Sequence, residues 1–517
     1  MMPTVDLRMR RLTIVLLSVV VTLSCHNHTV AAKATFPFNM HFEHVASEFN
    51  VPGGYFAIKS AGHDALQGRQ RADLSCHEFA RSVPEPYSDR YLPKTSLPSI
   101  KDDDGVLRAY WQWNGSISRA DFERAKLRKI GGPCFLNHYR IQKGRLFIEK
   151  GASLRVPETR KDFQLAFEEM LNVVLYLYPS MPDMEFLLFW SDDCVNGLPV
   201  LAPNVCRQYA NAGFTLPSNS VLRASLGQVQ MAAYHSCLWN RYPPHARKPL
   251  AVWRGTLTGS VQVPKEQLKS ITRVKLHLLS ENHSNIIDAK INRFPSWIPE
   301  DLRSLIHLGD HIHSEDYNSY SAIIDVDGNG WSDRFGNSLI HYATPIIKMA
   351  TNRTAFFEHL FAPGKTFLQF GPSMEDLVDK AGKLVSDVQH LGGKSEYFDM
   401  VRAMQGTSQI LMDHVGIAEA FAYLLLKYWS LVTWTLEDSH DPGHRSLLDP
   451  TKEQNDGPGR GDGDGLTVSG SSSAAAISAE VNGFEEVAVK CCSFTHLPAE
   501  FATAVTMRLS RKEPVQR

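Results

Sequence analysis

Residues Ser321–Ile340 read SAIIDVDGNGWSDRFGNSLI, and this stretch carries the strongest structural signal in the chain. The apolar run Ala322–Val326 predicts a short buried strand. The tripeptide Gly328-Asn329-Gly330 predicts a tight turn after it, because glycine lets the backbone N–H groups face outward. The chain therefore leaves a buried strand through a loop of exposed amides.

A helix is predicted directly after this turn. Ser332 or Asp333 can cap its N-terminus, and Arg334 then lies in its first turn. The amides of Asn329 and Gly330, the helix N-terminus and the Arg334 guanidinium together predict an anion site.

Asp325 and Asp327 raise two metal-binding alternatives for the same segment. An EF-hand loop that begins at Asp325 needs a bidentate glutamate at its twelfth position, which is Gly336, so this alternative fails. An Asp-x-Asp motif, which many glycosyltransferases use to hold a divalent cation, stays open. The flanking arginine and glycines favour direct diphosphate binding instead.

Residues Lys248–Ser260, KPLAVWRGTLTGS, repeat the pattern of an apolar run followed by a polar glycine turn. Leu250–Trp253 predicts a strand. Arg254-Gly255-Thr256, together with Thr258, predicts a turn that supplies amides, hydroxyls and one guanidinium, and Lys248 is expected to reach the same site. Two arginine-glycine turns in one chain favour a ligand site over two unrelated loops.

Helical and strand patterns alternate through the middle of the chain. Strands are predicted at Glu185–Trp190 and before the two glycine turns, and helices at Lys161–Tyr178, Lys265–Leu279, Met374–Leu391 and Met412–Trp434. Such alternation predicts an α/β fold with a mostly parallel, doubly wound sheet. Ligands bind beyond the carboxyl ends of strands in such sheets, so Asp192, Arg254 and the Gly328 turn are expected to converge.

Two sequence blocks, WRGTLTGS at Trp253–Ser260 and YSAIIDVDGNGWSDRF at Tyr320–Phe335, resemble the CAP10-type glycosyltransferases. This is glycosyltransferase family 90, which includes protein O-glucosyltransferases and KDEL-motif-containing proteins. PDMEFLLFWSDD at Pro182–Asp193 is similar to the family's strand that ends in an aspartate, and Ala343–Phe361 and Tyr423–Trp434 resemble its closing helices.

The resemblance implies a GT-B-like arrangement of two facing Rossmann-like domains. These would be an acceptor-side domain at 106–240 and a donor-binding domain at 241–436. An irregular N-terminal cap is expected at 34–105. The segment 437–517 is rich in Gly, Ser and Asp, which predicts a low-complexity, largely disordered tail.

The resemblance also implies an inverting glycosyltransferase that moves a hexose or pentose from UDP-glucose or UDP-xylose to a hydroxyl of a protein or polysaccharide. Asp192 matches the family's catalytic base. Asp193 is the alternative, because the aromatic residue and proline that follow this aspartate in many members are missing here.

Donor binding would fall to residues that match the family's donor site, namely Arg254, Gly255, Thr258, Asn329, Gly330, Ser332, Asp333 and Arg334. No metal or other cofactor is then required. Two alternatives stay open: a metal-dependent enzyme that uses Asp325 and Asp327, and an inactive member of the fold that binds glycans or proteins.

The N-terminal segment predicts export. Arg8, Arg10 and Arg11 precede an apolar run at Leu12–Leu23, which is the layout of a signal peptide within residues 1–33. The run is short for a membrane span, and membrane contact is expected only if it is an uncleaved signal anchor. The expected location is the lumen of the endoplasmic reticulum or Golgi, without a C-terminal retention tetrapeptide.

The composition excludes one class of partner. The 517-residue chain has 43% apolar residues and a formal net charge of -1, which fits a globular protein and argues against nucleic-acid binding. A disulfide is expected across the short loop between Cys194 and Cys206. N-glycosylation is expected at the sequons of Asn27, Asn114, Asn282 and Asn352.

Overall fold

The computed structural model describes residues 74–85, 89–97, 111–113, 115–127, 136–149, 158–189, 196–209, 211, 213–217, 226–258, 265–295, 298, 300–303, 306–411, 413–436, 484–487, 501, 504 and 505. All of them belong to one unit of mutually contacting residues, 68–98 with 106–517. The chain's other unit, 1–67 with 99–105, lies outside the described residues.

The strands are β1 (Trp111–Gln112), β2 (Leu136–Gln142), β3 (Arg145–Glu149), β4 (Met184–Phe189), β5 (Val200–Ala202), β6 (Asn204–Cys206), β7 (Gly213–Thr215), β8 (Lys248–Thr256), β9 (Ile287–Arg293), β10 (Tyr320–Asp325), β11 (Ile346–Met349), β12 (Arg353–Ala355), β13 (Leu368–Phe370) and β14 (Phe484–Glu486).

The α-helices are α1 (Cys76–Ser82), α2 (Arg119–Leu127), α3 (Glu158–Leu177), α4 (Gln228–Arg241), α5 (Thr272–Asn282), α6 (Glu300–Arg303), α7 (Asp333–Asn337), α8 (Leu377–Leu391), α9 (Tyr397–Leu411) and α10 (His414–Leu431). Short 3₁₀ turns occur at Asp89–Tyr91, Pro244–Ala246, Lys265–Ser270, Ser314–Ser319, Leu339–His341, Glu358–Leu360 and Gly392–Lys394.

Five strands form an all-parallel sheet in the order β13-β11-β10-β8-β9. If these five strands are counted 1 to 5 in chain order, their order across the sheet is 5-4-3-1-2. The chain thus winds outward in both directions from β8, which is a doubly wound arrangement. At its centre Ile323 lies opposite both Ile346 and Val252. The predicted α/β class with parallel strands is therefore confirmed.

Both faces of this sheet are buried, because successive residues of its strands enter different apolar clusters. Ala251 and Trp253 pack in one cluster with Val274 of α5 and Leu384 of α8. Val252 and its neighbours on the opposite face pack in the other. Strands covered on both faces must be apolar throughout, which explains the unbroken runs in the sequence.

A second, mixed sheet has the order β1-β7-β5-β4-β2-β3-β14. The pairs β4-β5 and β5-β7 are parallel, and the remaining pairs are antiparallel. The β2-β3 hairpin turns at Lys143 and Gly144, whose positive φ angles of 50° and 68° are those of a two-residue turn that matches the right-handed twist of the strands. The sequence HYRIQKGRLFIEK at His138–Lys150 alternates apolar and polar residues, which predicts two strands or a hairpin, and the structure has a hairpin here.

The two sheets share one apolar cluster. Phe186 and Phe214 of the mixed sheet, Val252 and Ile323 of the parallel sheet, and Phe421 of α10 all belong to it. A two-stranded ladder of β6 with β12 also joins the two halves. The described residues of the predicted domains 106–240 and 241–436 are thus packed on a common core.

Two local predictions are wrong. The turn predicted at Arg254-Gly255-Thr256 is strand, because β8 pairs with β9 as far as Thr256. The segment Ala343–Phe361 is not helical, since it contains β11, β12 and a 3₁₀ turn. Ile and Thr residues in that segment favour extended backbone over helix.

Part of the predicted tail at 437–517 is folded. β14 pairs with β3, and the side chains of Phe501 and Val505 are fully buried. The Phe501 ring contacts those of Tyr91 and Tyr176, with centroid distances of 4.7 and 5.5 Å. These apolar residues return to the core after a long polar segment, so the composition of 437–517 as a whole does not describe them.

Candidate functional site

The carboxyl ends of β8 and β10 meet at the point where the strand order reverses. From β8 the chain proceeds to β9 on one side, and from β10 it proceeds to β11 on the other. Loops that leave in opposite directions open a crevice at such a switch point, which is where doubly wound proteins bind ligands.

A cavity of about 390 Å³ lies at this crevice. Its polar wall contains Thr258, Arg273, Arg334 and the loop from Gly328 to Asp333. Its apolar wall is formed by Phe163 of α3, by Pro203 and Leu216, which follow β5 and β7, and by Ala355, Phe356 and Phe357 at the end of β12. One wall suits an anion and the other suits a ring.

Buried ion pairs hold the end of β10 in place. Asp325 is fully buried, and its Oδ1 accepts a hydrogen bond of 2.6 Å from the Ser332 hydroxyl. Its Oδ2 accepts one of 3.1 Å from Lys348 Nζ. Asp327 Oδ1 accepts the Ser332 backbone N–H at 2.9 Å, so both carboxylates fold the loop back onto the helix start.

Lys348 neutralises these carboxylates. Its side chain is 2% exposed, and its Nζ lies 3.8 Å from Asp327 Oδ1. Burial alone would lower the pKa of Lys348, but the charges of Asp325 and Asp327 outweigh burial and raise the pKa above its ordinary value. A divalent cation bound to both aspartates would have to displace this lysine, so the donor set does not fit a metal.

Gly328 is required by the close packing of the loop against two side chains. A Cβ at this position would lie 2.7 Å from Arg273 Nη2 and 2.9 Å from Thr258 Oγ1. The Gly328 N–H bonds the Gly330 carbonyl at 3.2 Å, which curls the loop. Glycine therefore allows the backbone to approach the arginine and the hydroxyl.

Two arginines stand on the polar wall. Arg273, in the first turn of α5, donates from Nη1 to the Thr256 carbonyl at 2.7 Å and from Nε to the Asp327 carbonyl at 3.1 Å. Arg334 donates from Nη1 to the Arg254 carbonyl at 2.6 Å. Arg334 Nη2 also lies 3.7 Å from Asp325 Oδ1. Backbone carbonyls thus orient both guanidinium groups, and a carboxylate additionally holds Arg334.

The electrostatics of this wall favour an anion. Burial, together with the nearby Arg334 cation, lowers the pKa of Arg273 to about 10. Arg273 still carries its charge at neutral pH, so two like charges share one partly desolvated wall. A bound anion would relieve this repulsion and would meet the guanidinium groups and the loop together.

Arg254 has other partners than the cavity. Its guanidinium is 6% exposed and forms an ion pair of 2.8 Å with Asp288 Oδ2. It also donates to the backbone carbonyls of Asp288 and Asp310. Successive strand residues face opposite sides, so Gly255 lines the cavity while Arg254 faces Asp288.

The structure brings most of the other predicted donor-site residues together. Gly255, Thr258, Asn329, Gly330, Ser332, Asp333 and Arg334 all line the cavity. Lys248 lies at the opposite end of β8, paired with Tyr320, so it cannot reach the site. Six residues of strand separate it from Arg254, which is roughly 20 Å.

The predicted bases Asp192 and Asp193 lie outside the described residues. Their strand β4 is described as far as Phe189 and is the parallel neighbour of β5. Pro203 and Leu216, which follow β5 and β7, line the cavity. The carboxyl ends of β5 and β7 therefore face the same cavity as those of β8 and β10.

Sequence reasoning missed Arg273 and Lys348. Arg273 has a local signal, because a cation in the first turn of a helix opposes the helix dipole and needs another partner. Lys348 has one as well, since a lysine within the apolar strand PIIKM needs a buried counter-charge. Either anomaly could have marked the site.

Cys76 of α1 and Cys237 of α4 form a disulfide bridge that was not predicted. Cys206 is also disulfide-bonded, and the predicted partner, Cys194, lies outside the described residues. Of the sequons, Asn282 ends α5 and Asn352 follows β11 with its amide bonded to Gln208. Asn27 and Asn114 lie outside the described residues.

No protein-family model matches this chain, and no curated protein is significantly similar to it in sequence. Within the described residues, no single helix is long and apolar enough to cross a membrane. One pair, Tyr397–Gln409 with His414–Leu431, passes that test together by length and composition, and is bent by 72°.

Proposed function

We propose that this protein is an inverting glycosyltransferase that uses a UDP-sugar and that the cavity at the switch point holds the diphosphate of the donor. The observation that carries this proposal is the juxtaposition of Arg273, Arg334 and the Gly328 loop in one cavity at the carboxyl ends of β8 and β10. The apolar wall, with Phe163 and Phe356, suits the flat face of a pyrimidine ring.

Such a site stabilises the departing diphosphate. In the proposed reaction a base takes the proton of an acceptor hydroxyl, and the hydroxyl oxygen attacks the anomeric carbon from the side opposite the diphosphate. The bond from that carbon to the diphosphate oxygen breaks, and its electron pair leaves with the diphosphate. Arg273 and Arg334 meet the resulting charge, and removing one such preorganised donor typically costs about 2 to 4 kcal/mol.

Asp192 is the proposed base, with Asp193 as the alternative. The support is indirect: β4, which precedes them, ends at the edge of the mixed sheet that faces the cavity. The sugar would then lie between this edge and the two arginines. In this GT-B-like scheme the mixed sheet carries the acceptor and the parallel sheet carries the donor.

The proposed enzyme works without a metal. Lys348 holds Asp325 and Asp327 in the place where an Asp-x-Asp enzyme would hold a cation. Donor turnover is therefore expected to be unchanged by a chelator. A chelator that abolishes turnover, with recovery on adding Mn²⁺, would restore the metal-dependent alternative.

The proposed setting is the lumen of the secretory pathway, with a protein or polysaccharide hydroxyl as the acceptor. The direct test is release of UDP from UDP-glucose, UDP-xylose and UDP-galactose by the full chain purified from a secretory host. At least one donor should be hydrolysed slowly without acceptor. If the protein binds UDP but releases none from any combination of donor and acceptor, it would be the inactive member of the fold that binds glycans or proteins.

The base is tested by two matched variants. Asp192→Asn is expected to bind UDP like the unchanged protein and to lose transfer, because no base is left to take the proton from the attacking hydroxyl. Asp193→Asn should keep both. The reverse result would move the base by one residue, and loss of transfer in neither variant would refute both assignments.

A further inference from the structure

A second cavity, of about 530 Å³, lies beside β9, which is the edge strand of the parallel sheet in the part of the chain that the structure describes. It is formed by the side of α5, by β9 and by the segment around His307. It shares no lining residue with the cavity at the switch point. Nothing in the proposed transfer reaction uses it.

His277 is the unusual group in this cavity. Its side chain is 3% exposed, and its ring lies against the Ala289 backbone and near the Glu281 carboxylate. The nearest carboxylate oxygen, Glu281 Oε1, is 3.6 Å from Nε2, which is too far for a hydrogen bond. The gap between Nε2 and Glu281 Oε1 leaves room for a ligand hydroxyl that bonds both His277 and Glu281.

The backbone of the β9 edge is already satisfied, which argues against an added strand. The Ser280 hydroxyl donates to the Ile287 carbonyl at 2.9 Å and accepts the Ala289 N–H at 2.8 Å. The Gly309 N–H bonds the Ile291 carbonyl at 2.8 Å. The cavity therefore offers side chains rather than an open ladder.

The charges that line this cavity nearly balance. Asp288 is paired with Arg254, and the remaining carboxylate, Glu281, is accompanied by Lys290. Burial lowers the pKa of His277, so its ring is neutral at pH 7. This composition favours a neutral ligand that both donates and accepts hydrogen bonds over an ion.

Apolar surface lies beside these polar groups. Leu308 is 52% exposed, and it lines the cavity together with Leu250 and Ile287. A sugar ring presents hydroxyl groups at its rim and C–H groups on its faces, so it can bond the polar groups while it covers the leucines. We propose that this second cavity binds a neutral carbohydrate. The inference does not depend on the proposed transferase activity.

The experiment measures binding of methyl glycosides of glucose, galactose, mannose and xylose to the full chain by saturation-transfer NMR and calorimetry. At least one should bind. His277→Phe and Glu281→Gln should each weaken its binding tenfold or more. Glu281 is half exposed, so Glu281→Gln should fold normally even if His277→Phe does not.

Two controls separate this cavity from the switch point. His390→Phe, the same substitution at an exposed histidine of α8, should bind the glycoside normally. Arg273→Ala should also bind it normally. The proposal is overturned if no glycoside binds, if Glu281→Gln binds as tightly as the unchanged protein, or if Arg273→Ala rather than Glu281→Gln removes binding. Displacement of the glycoside by inorganic phosphate would overturn it as well.

Discussion

Arg273 and Arg334 approach the same wall of the switch-point cavity from different elements, α5 and α7. Each is held by backbone carbonyls at the end of β8 or in the loop after β10. They lie sixty-one residues apart in the sequence. Their proximity is therefore a property of the fold. The proposed contact of each arginine with the diphosphate is tested with single substitutions.

Arg273→Ala and Arg334→Ala should each weaken UDP binding by about 1.5 to 3 kcal/mol, or roughly tenfold to a hundredfold, because each removes charged hydrogen bonds to the diphosphate. Calorimetry measures the affinity. Arg402→Ala, at an exposed arginine of α9, is the control and should bind UDP normally. Unchanged affinity in both cavity variants would refute the diphosphate assignment.

Lys348→Met should lower the free energy of unfolding by about 3 to 5 kcal/mol, because it removes the nearer counter-charge of the buried Asp325 and leaves only Arg334, whose Nη2 lies 3.7 Å from Asp325 Oδ1. Urea unfolding measures the change. Lys380→Met breaks a pair with Asp376 that is exposed to solvent, and its effect should be about 1 kcal/mol or less. Equal losses would show that the Lys348 pair has no special role.

The double variant Lys348→Met with Asp325→Leu sharpens this test. It removes both charges, so it should recover much of the stability that Lys348→Met alone loses. The Ser332 hydroxyl then loses its acceptor, so recovery should be incomplete. No recovery at all would mean that the lysine acts by packing rather than by charge.

At the scale of elements, helices and strands with a clear period were predicted well, and their ends less so. α3, β4, β10 and the β2-β3 hairpin lie where the apolar patterns place them. β8 continues through Arg254-Gly255-Thr256, although glycine there predicted a turn. Gly255 is needed for packing, since a Cβ would lie 2.5 Å from the Trp253 ring.

Two helices far apart in sequence are joined by the bridge between Cys76 and Cys237. Glu315 caps the N-terminus of α1 by accepting the N–H groups of Cys76 and His77 at 2.7 and 2.8 Å. Glu85, beyond the end of α1, accepts the Gln230 N–H near the start of α4 at 3.1 Å. The disulfide joins α1 to α4, Glu315 caps the start of α1, and Glu85 bonds the start of α4.

Replacing both Cys76 and Cys237 by alanine should lower the free energy of unfolding by about 2 to 4 kcal/mol, because the bridge restricts the unfolded chain over a long loop. Urea unfolding measures this loss. Non-reducing peptide mapping should recover the two cysteines in one linked fragment. Finding Cys76 linked to a different cysteine would contradict the structure.

At the scale of the whole molecule, buried histidines predict sensitivity to acid. The rings of His235 and His341 stack with their centroids 6.1 Å apart. Burial lowers the pKa of His235 well below its ordinary value and that of His341 to about 3. Both are neutral in the folded protein, whereas both take a proton in the unfolded chain below pH 6.5. The two buried histidines therefore cost no stability above pH 6.5, and the free energy of unfolding falls as the pH drops below that value.

Each such histidine should contribute about 1.4 kcal/mol of lost stability per pH unit below 6.5. His235→Phe removes one without breaking a hydrogen bond, since neither nitrogen of His235 has a partner among the described residues. Between pH 7 and pH 5 this variant should lose less stability than the unchanged protein, as measured by urea unfolding. His390→Phe, at an exposed site, should keep the original pH dependence.

Glu185 adds a second step at lower pH. Burial opposes its charge, but a hydrogen bond from His138 and the ion pair with Arg119 outweigh burial and lower the pKa of Glu185 to about 2. Its contribution is present above the unfolded value of about 4.5 and is lost as the pH falls toward 2. The histidine effect begins near pH 6.5, so the two are separable.

The sequence by itself determined the class of the fold and the position of one site loop. The apolar residues Ala322, Ile323, Ile324 and Val326 favour a buried strand, and Gly328-Asn329-Gly330 favours a turn at its end. These are local properties, because they depend on hydrophobic period and on the backbone freedom of glycine. They were predicted correctly for that reason.

Only the tertiary structure decided which charged groups serve the site. Strand alternation turns Arg254 toward Asp288, while the doubly wound order brings Arg273 beside the Gly328 loop and seats Lys348 under Asp325 and Asp327. These pairings join residues from different strands and helices, and their strength depends on burial. No local pattern encodes them, since burial and proximity exist only once the sheets have packed.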